Sequence, residues 1–335
     1  MYEMILSRDC MMVVITVLAQ VCAAEEMLGN FENQPDNVAM VAVQFGTPSI
    51  QSITIDRNGA VSVNRSPGVP TPKYGWCPGM VTVGKRMYSI GAYNSPDRKG
   101  VEIFENGKWA IQTPMNLDRQ YAAVGYLASA GLLFACGCNT SPSQCYKSCD
   151  FRLEAVDSAW ETRPLPDGQC LIYGAGAASK DRMWISGGGV ACSGMEENDS
   201  GARLMSYDGN AWTQHASMRH ARSQHAMTVD GETLVVCGGA NAGGPFLSSC
   251  ERYSMVNDVW QDIAPLTKHV HWTSLFALGR DHRLIMFGGY QFNGTSQGYN
   301  QQVDVYDGTR WVTAPGATVV NVKGEPFGAT LLPPS

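Results

Sequence analysis

Several kinds of sequence signal are scarce in this chain. Charged residues make up 16% of it, with 24 Lys and Arg against 30 Asp and Glu, and they form no basic stripe. Nucleic acid is therefore not an expected partner. No long segment has the apolar period of an amphipathic helix, which argues against a helical fold. The apolar run at residues 11–24 is too short to span a bilayer, and no other segment is a better candidate.

Common catalytic motifs are also missing. The chain has no Gly-x-Ser-x-Gly nucleophile motif, no His-Glu-x-x-His metal motif and no phosphate-binding loop. The glycines at 187–189 do not precede a predicted helix, as a phosphate-binding loop would require. The sequence therefore leaves open whether the protein is an enzyme.

The N-terminus has the features of a secretory signal peptide cleaved near Ala24. Glu3 and Asp9 beside Arg8 depart from the usual basic start, and translation from residue 11 or 12, or inefficient cleavage, would account for this. A membrane anchor is the alternative. Without residues 1–24 the charges become 23 basic and 28 acidic, a net of −5. We expect a signal peptide at 1–24, an N-terminal leader of the mature chain at 25–37, and one domain at 38–335. The expected protein is secreted and extracellular, with no membrane span in the mature chain.

Tryptophan recurs along the chain at intervals of 51, 52, 48 and 51 residues. Upstream of most copies lies a short strand ending in Tyr-Asp or a similar pair, such as Tyr207-Asp208, and before that an apolar run ending in glycine, such as Gly238-Gly239. A period near fifty indicates a repeated unit of short strands. The recurring residues are Trp109, Trp160, Trp212, Trp260 and Trp311.

This pattern resembles the kelch repeat, whose unit is a four-stranded propeller blade. The similarity spans roughly residues 38–332, although the glycine doublet decays to Gly91-Ala92 and Gly137-Cys138 in the first two units. The resemblance implies an all-β propeller, and we expect the repeat tryptophans to pack between blades. Kelch domains carry many functions, so the fold alone does not name one.

The two ends of the chain complement each other. Five full units run from about residue 74 to 315, residues 327–332 form one lone inner strand, and residues 38–64 form three strands that lack an inner one. Joining them into one blade removes exposed strand edges. The sequence therefore predicts a six-bladed kelch-type β-propeller whose last blade is closed by N-terminal strands plus a C-terminal inner strand.

The chain has 11 cysteines, of which Cys10 and Cys22 lie in the expected leader. A secretory route favours disulfides among the other nine, and the odd number leaves one unpaired. That cysteine could link two copies, although a monomer is expected. Cys136 and Cys237 are predicted to be buried thiols. The disulfide candidates are Cys138, Cys145 and Cys149 in one loop, and the pair Cys192 and Cys250.

Four Asn-x-Ser/Thr sequons occur in segments predicted as loops or strand ends. In a secreted chain such sites are glycan acceptors. The predicted glycosylation sites are Asn64, Asn139, Asn198 and Asn293.

Aligning the units on their glycines brings the starts of the inner strands to one rim of the central channel. Kelch-like proteins commonly bind ligands there. The aromatic residues could stack on a ligand. The arginines could hold an anion, or pair with carboxylates of neighbouring blades, and the sequence does not decide between these alternatives. The candidate ligand-binding residues are Trp76, Arg119, Tyr121, Arg222, His225, His269, His271, Trp272 and Glu325.

No cofactor is expected, and a metal is a minor alternative. His269 and His271 are two residues apart on a predicted strand and so share a face. With His225 or His220 they would form a three-histidine metal site. The favoured interpretation is that they are polar residues at a strand entrance.

Two functions remain from different classes. The first is a secreted module that binds a protein, a glycan or a small molecule at the rim. The alternative is a secreted enzyme that uses the same channel mouth, for example an oxidoreductase. In size, secretion and cysteine content the chain is similar to the secreted luciferases of marine worms, and an enzyme of that kind would oxidise a small luciferin with molecular oxygen.

Overall fold

The protein is an all-β structure. The computed structural model describes residues 40–43, 49–55, 60–67, 79–91, 97–137, 146–155, 158–189, 199–241, 246–278, 282–292, 297–319 and 328–331. Within these ranges the only helices are short 3-10 turns at Ala128–Ala130 and Asp199–Ala202. No helix in the described part is long and apolar enough to cross a membrane.

Twenty-seven strands lie in the described ranges. The first three are β1 (Met40–Val43), β2 (Ser49–Ile55) and β3 (Val61–Pro67). The next sixteen are β4 (Gly79–Val83), β5 (Arg86–Ile90), β6 (Val101–Glu105), β7 (Lys108–Ile111), β8 (Ala123–Leu127), β9 (Leu132–Cys136), β10 (Ser148–Leu153), β11 (Glu161–Pro164), β12 (Ala175–Ala178), β13 (Met183–Ser186), β14 (Leu204–Tyr207), β15 (Trp212–Gln214), β16 (Ala226–Asp230), β17 (Thr233–Cys237), β18 (Cys250–Ser254) and β19 (Val259–Ile263). The last eight are β20 (His269–His271), β21 (Ser274–Leu278), β22 (Arg283–Phe287), β23 (Tyr290–Phe292), β24 (Gln297–Tyr299), β25 (Gln302–Tyr306), β26 (Trp311–Thr318) and β27 (Gly328–Leu331).

The strands form a series of four-stranded antiparallel sheets. Four sheets use consecutive strands, β4–β7, β8–β11, β12–β15 and β16–β19. A fifth has the order β21-β22-β25-β26, and a sixth has the order β27-β1-β2-β3. A separate three-stranded sheet, β20-β23-β24, does not belong to the repeat. The all-β kelch-type architecture is confirmed; the described sheets match the predicted number of blades, and the blade count of the whole chain stays a prediction.

Both ends of the described chain contribute to one sheet. β27 pairs antiparallel with β1, with Leu331 opposite Met40 and Gly328 opposite Val43. The first strands of the sheets contact one another in the cyclic order β27, β4, β8, β12, β16, β21 and back to β27. The predicted closure by N-terminal and C-terminal strands is confirmed. We call the end of this ring where the first strands begin the channel mouth.

The repeated tyrosine and tryptophan form a cross-strand pair that joins adjacent sheets. Tyr253 lies opposite Trp260, with ring centroids 5.1 Å apart. The indole of Trp260 donates a hydrogen bond to the carbonyl of Ala216, 2.8 Å away, at the end of the preceding sheet. Trp160 and Trp311 make the equivalent bonds. These buried tryptophans therefore pack between sheets, as predicted.

The glycine doublet is required by close backbone contact. Gly238 and Gly239 follow β17 with φ angles of 67° and 94°, which side chains rarely adopt. A Cβ atom on Gly239 would lie 2.5 Å from the carbonyl oxygen of Ser223. A Cβ atom on Gly238 would lie 2.6 Å from the carbonyl oxygen of Val270, in the segment that leads to the next sheet. The doublet thus lets β17 end against the connections that enter its own sheet and the next one.

The disulfides differ from those predicted. Cys136 bonds to Cys149 and Cys237 bonds to Cys250, so the prediction of buried thiols at 136 and 237 is wrong. Cys149 and Cys250 are among the disulfide candidates and are bonded, but the predicted pair of residues 192 and 250 is wrong. A bridge between residues 138 and 145 of the predicted loop lies outside the described residues. Each bonded pair occupies facing positions on adjacent antiparallel strands, with Cα atoms 4.2 Å apart.

Other cysteines and sequons lie mostly outside the described residues. Cys170 is also disulfide-bonded, and its partner lies outside the described residues. Asn64 lies in the outer strand β3, and its glycosylation stays a prediction. The predicted residues outside the described ranges are Cys138, Cys145, Cys192, Asn139, Asn198 and Asn293.

Candidate functional site

Both terminal amino groups of Arg222 make structural contacts, while its buried Nε has no hydrogen-bond partner among the described residues. Its guanidinium donates to the carbonyls of Gly238 and Ser249 at 2.7 and 3.1 Å, and to the Ser249 hydroxyl at 3.1 Å. It also pairs with Glu251 at 2.6 Å, and both side chains are fully buried. Burial lowers the pKa of Arg222 from its ordinary value, while the Glu251 carboxylate opposes this shift.

Arg119 repeats this arrangement two sheets earlier. It donates to the carbonyls of Gly137 and Ser148 at 2.7 and 2.8 Å and pairs with Asp150 at 3.0 Å, again with both charged side chains buried. In each case the carboxylate lies on the third strand of the sheet that the arginine's segment enters, and not on a neighbouring sheet. The structure therefore favours the pairing alternative over anion binding, with the pair inside one sheet.

Four residues just before the first strands have an unusual backbone conformation. Tyr121, Tyr173, Gln224 and Trp272 have φ angles of 49°, 55°, 56° and 54°, in the left-handed region. For bulky side chains this region is strained, and such strain is concentrated at functional sites. Each residue stands two positions before β8, β12, β16 or β21, so the strain repeats around the channel mouth.

Three aromatic rings meet at the channel mouth. The rings of Tyr121 and Trp272 stack with centroids 5.7 Å apart and planes 2° apart. Tyr173 contacts both of them, with centroids 5.3 and 6.4 Å away and its plane steeply inclined. Because β8 and β21 stand opposite each other in the ring of first strands, Tyr121 and Trp272 meet across the channel. All three side chains are half-buried, so part of each ring remains accessible.

His271 extends these rings towards the three-stranded sheet. It stacks on Phe246 and Trp272 with centroids 3.8 and 4.8 Å apart, and it lies 5.5 Å from the ring of Tyr290, its partner on β23. Its Nδ1 lies 2.7 Å from Oε1 of Gln224. Since an amide oxygen only accepts, Nδ1 carries the proton and Nε2 the free lone pair. Burial lowers the pKa of His271 to about 4, so it is neutral at pH 7.

We call these rings the aromatic cluster: Tyr121, Tyr173, Phe246, His271, Trp272 and Tyr290. Its side chains carry no charge at pH 7. The sequence analysis singled out Tyr121, His271 and Trp272, and the structure brings them together. It missed Tyr173 and Gln224, although these residues stand at the same position before their first strands as Tyr121 does before β8. It also missed Phe246 and Tyr290, for which the repeat gives no signal because they belong to an irregular loop and the three-stranded sheet.

The proposed metal ligands do not converge. His225 is buried, with Nε2 2.8 Å from the Ser186 hydroxyl, and burial together with Arg222 holds its pKa well below the ordinary value. Nδ1 of His269 donates to the carbonyl of Phe246, 2.6 Å away. Across the described ranges, no three His, Cys, Asp or Glu residues come close enough to hold a metal ion. Trp76 and Glu325 lie outside those ranges.

Comparisons with known proteins point to one repeat family. The kelch motif model matches residues 221–267. The chain is 29% identical over 119 residues to kelch-like protein 38 of Mus musculus and 28% identical over the same length to that of Homo sapiens. These matches cover 35% of this chain and 20% of each relative. Kelch-like protein 34 of Homo sapiens is 37% identical over 62 residues, which are 18% of this chain and 10% of that protein.

The matched segment agrees with the geometry. It contains Arg222, the doublet Gly238-Gly239 and the repeat pair Tyr253 and Trp260, which are the features that recur from sheet to sheet. The chain matches about a fifth of the length of kelch-like protein 38 and a tenth of the length of kelch-like protein 34. None of the relatives named above is a luciferase, and that alternative stays a prediction without support from them. The chain thus carries a kelch motif at residues 221–267, and the repeated sheets, the glycine doublets and these matches together support a kelch-repeat architecture.

Proposed function

We propose that this protein binds a segment of a partner protein at the channel mouth, through the aromatic cluster. The observation that carries the proposal is the contact between Tyr121 and Trp272. Two half-buried rings from opposite sides of the ring of strands meet there, both held in a strained backbone conformation. The similarity to kelch-like proteins supports a binding role.

The chemistry of the mouth favours stacking over ion pairing. Arg119 and Arg222 are buried and already neutralised by Asp150 and Glu251. His271 is neutral at pH 7 because burial lowers its pKa to about 4. A partner would therefore contact accessible aromatic rings. Aromatic side chains often contribute most of the binding energy at protein interfaces.

We also propose that the protein acts outside the cell or within the secretory pathway. Disulfides persist in oxidising compartments and are rare in the cytosol. The bonds Cys136–Cys149 and Cys237–Cys250 support this assignment. Expression of the full chain in animal cells tests it: we expect folded protein in the medium, and retention of all of it in the cytosol would contradict the proposal.

A displayed library of random peptides tests the binding function. Peptides are selected on the native protein, and their affinities are then measured for Tyr121→Ala, Tyr173→Ala and Ile111→Ala. Ile111 is 56% exposed on the outer strand β7 and serves as the control. We expect a loss of about tenfold or more for the tyrosine variants, and none for the control.

Two results would count against a protein partner at this site. If the selected peptides bind all variants equally, the aromatic cluster is not part of the binding surface. If no peptide can be selected, and if the protein binds immobilised glycans in a way that depends on Tyr121, the ligand of the channel mouth is a carbohydrate.

A further inference from the structure

One hydrogen-bond donor in the aromatic cluster lacks an acceptor. The indole Nε1 of Trp272 is buried and has no hydrogen-bond partner among the described residues. In contrast, the indoles of Trp160, Trp260 and Trp311 each donate to a backbone carbonyl. A buried donor without a partner is costly and calls for an explanation. A carbonyl supplied by a bound molecule would provide the missing acceptor.

The aromatic surface continues beyond the channel mouth. From Trp272 the next ring is Tyr290, 5.7 Å away, and from Tyr290 the next is Tyr299, 5.0 Å away. These tyrosines lie on β23 and β24, the hairpin outside the repeat, and Tyr299 is 41% exposed. With Tyr121, these residues form a row of four rings from the channel axis onto the hairpin.

The row offers stacking surfaces and no charge. Tyrosine and tryptophan are neutral at pH 7, and His271 behind them is neutral as well. Arg119 and Arg222, which lie in the connections that lead into the first strands, are paired with buried carboxylates. The occupant that fits is therefore uncharged, has flat apolar faces, and carries backbone carbonyls that are free to accept a hydrogen bond.

We propose that the row Tyr121, Trp272, Tyr290 and Tyr299 binds a proline-rich segment in the polyproline II conformation, with Trp272 Nε1 donating to one of its carbonyls. This inference rests on the proposed function. A polyproline II segment has no internal hydrogen bonds, so its carbonyls are available. Its proline rings pack on aromatic grooves, and its preformed shape limits the entropy lost on binding. Since Nε1 is buried in the free protein, this hydrogen bond requires that the indole turn when the segment binds.

Labelled peptides and two substitutions at one position test the proposal. The probe is an oligoproline of about ten residues, and the control is a glycine-serine peptide of equal length. Affinities are measured by fluorescence anisotropy for the native protein, Trp272→Phe, Trp272→Ala and Trp212→Phe. Phe keeps a ring but removes the N–H, and Trp212 provides the same change on the outer strand β15.

We expect the oligoproline to bind the native protein and the glycine-serine peptide not to bind. Trp272→Phe should weaken binding about threefold to tenfold, the loss of one hydrogen bond. Trp272→Ala should weaken it about thirtyfold or more. Trp212→Phe should bind like the native protein. Near-UV circular dichroism and melting temperature establish that each variant is folded.

Equal affinity for both peptides, or no effect of Trp272→Phe, would overturn the proposal. The library experiment separates this failure from that of the proposed function. Selected peptides that depend on Tyr121 but contain no proline would overturn the ligand class and keep the binding function. If no selected peptide depends on Tyr121 or Tyr173, both fall.

Discussion

Substitutions in the buried pair Arg222–Glu251 test how much this ion pair contributes to the stability of the fold beneath the channel mouth. Both side chains are fully buried and 2.6 Å apart. Glu251→Gln keeps the shape of the side chain and removes its charge, which leaves a buried guanidinium uncompensated. Removing one partner of a buried pair costs about 3–5 kcal/mol. Arg222 keeps its contacts with Gly238 and Ser249, so we expect the lower end of that range.

The reciprocal change should cost a similar amount for a different reason. Arg222→Met removes the guanidinium donor from the buried carbonyl of Gly238, at about 1–3 kcal/mol, and leaves the Glu251 carboxylate buried without its countercharge, while the Ser249 carbonyl still accepts the N–H of Gly238. Glu251 retains hydrogen bonds from the backbone N–H groups of Arg219 and His220, at 2.7 and 3.2 Å. The double variant removes both charges together, so its loss should be about 2–3 kcal/mol smaller than the sum of the single losses.

These free energies are measured by urea unfolding with the disulfides intact, and tryptophan fluorescence monitors the transition. The control is the exposed pair Arg163 and Glu161, which are 2.7 Å apart on β11. Glu161→Gln should leave the unfolding midpoint unchanged, because exposed pairs contribute little. A loss below about 1 kcal/mol for Glu251→Gln, or a double variant equal to the sum of the singles, would refute the argument.

Three further predictions concern the disulfide, the glycine doublet and the buried histidine. Replacing Cys237 and Cys250 together by alanine should lower the free energy of unfolding by about 3 kcal/mol, and an unchanged urea midpoint would contradict the bond. Gly239→Ala should destabilise more than Gly308→Ala in thermal melts, because only the first places a Cβ against a carbonyl, although both residues have positive φ; equal losses would disprove a steric cause. Stability should fall as the pH drops from about 6.5 to about 4, since His271 then takes up a proton only in the unfolded chain, and His271→Gln should flatten this slope.

The repeat could be derived from the sequence because each sheet reuses the same local contacts. Tyr253 and Trp260 face each other across one hairpin, and the glycines at 238–239 end the second strand of the same unit. Such features lie within one period, so their spacing is visible along the chain. The closure by β27 and β1 was also derivable, because the end segments supplied the strands that each lacked.

The site was only partly derivable. The alignment reached the correct strand starts and singled out Tyr121, His271 and Trp272, but it did not give the backbone conformation that brings these rings together. It also could not decide whether Arg119 and Arg222 face a ligand or a carboxylate, since that depends on which side chains are buried.

The sequence by itself determined the strand pattern, the repeat and the sharing of one sheet by both ends, because these follow from local periodicity. The tertiary structure alone decided which residues from different sheets touch. Tyr121 and Trp272 are far apart in sequence and stack because their strands stand opposite each other in the ring. Cys136 meets Cys149 because register places them face to face, and no spacing rule reveals register between strands joined by a long loop. Contacts across the ring depend on its closure, which is a property of the whole fold.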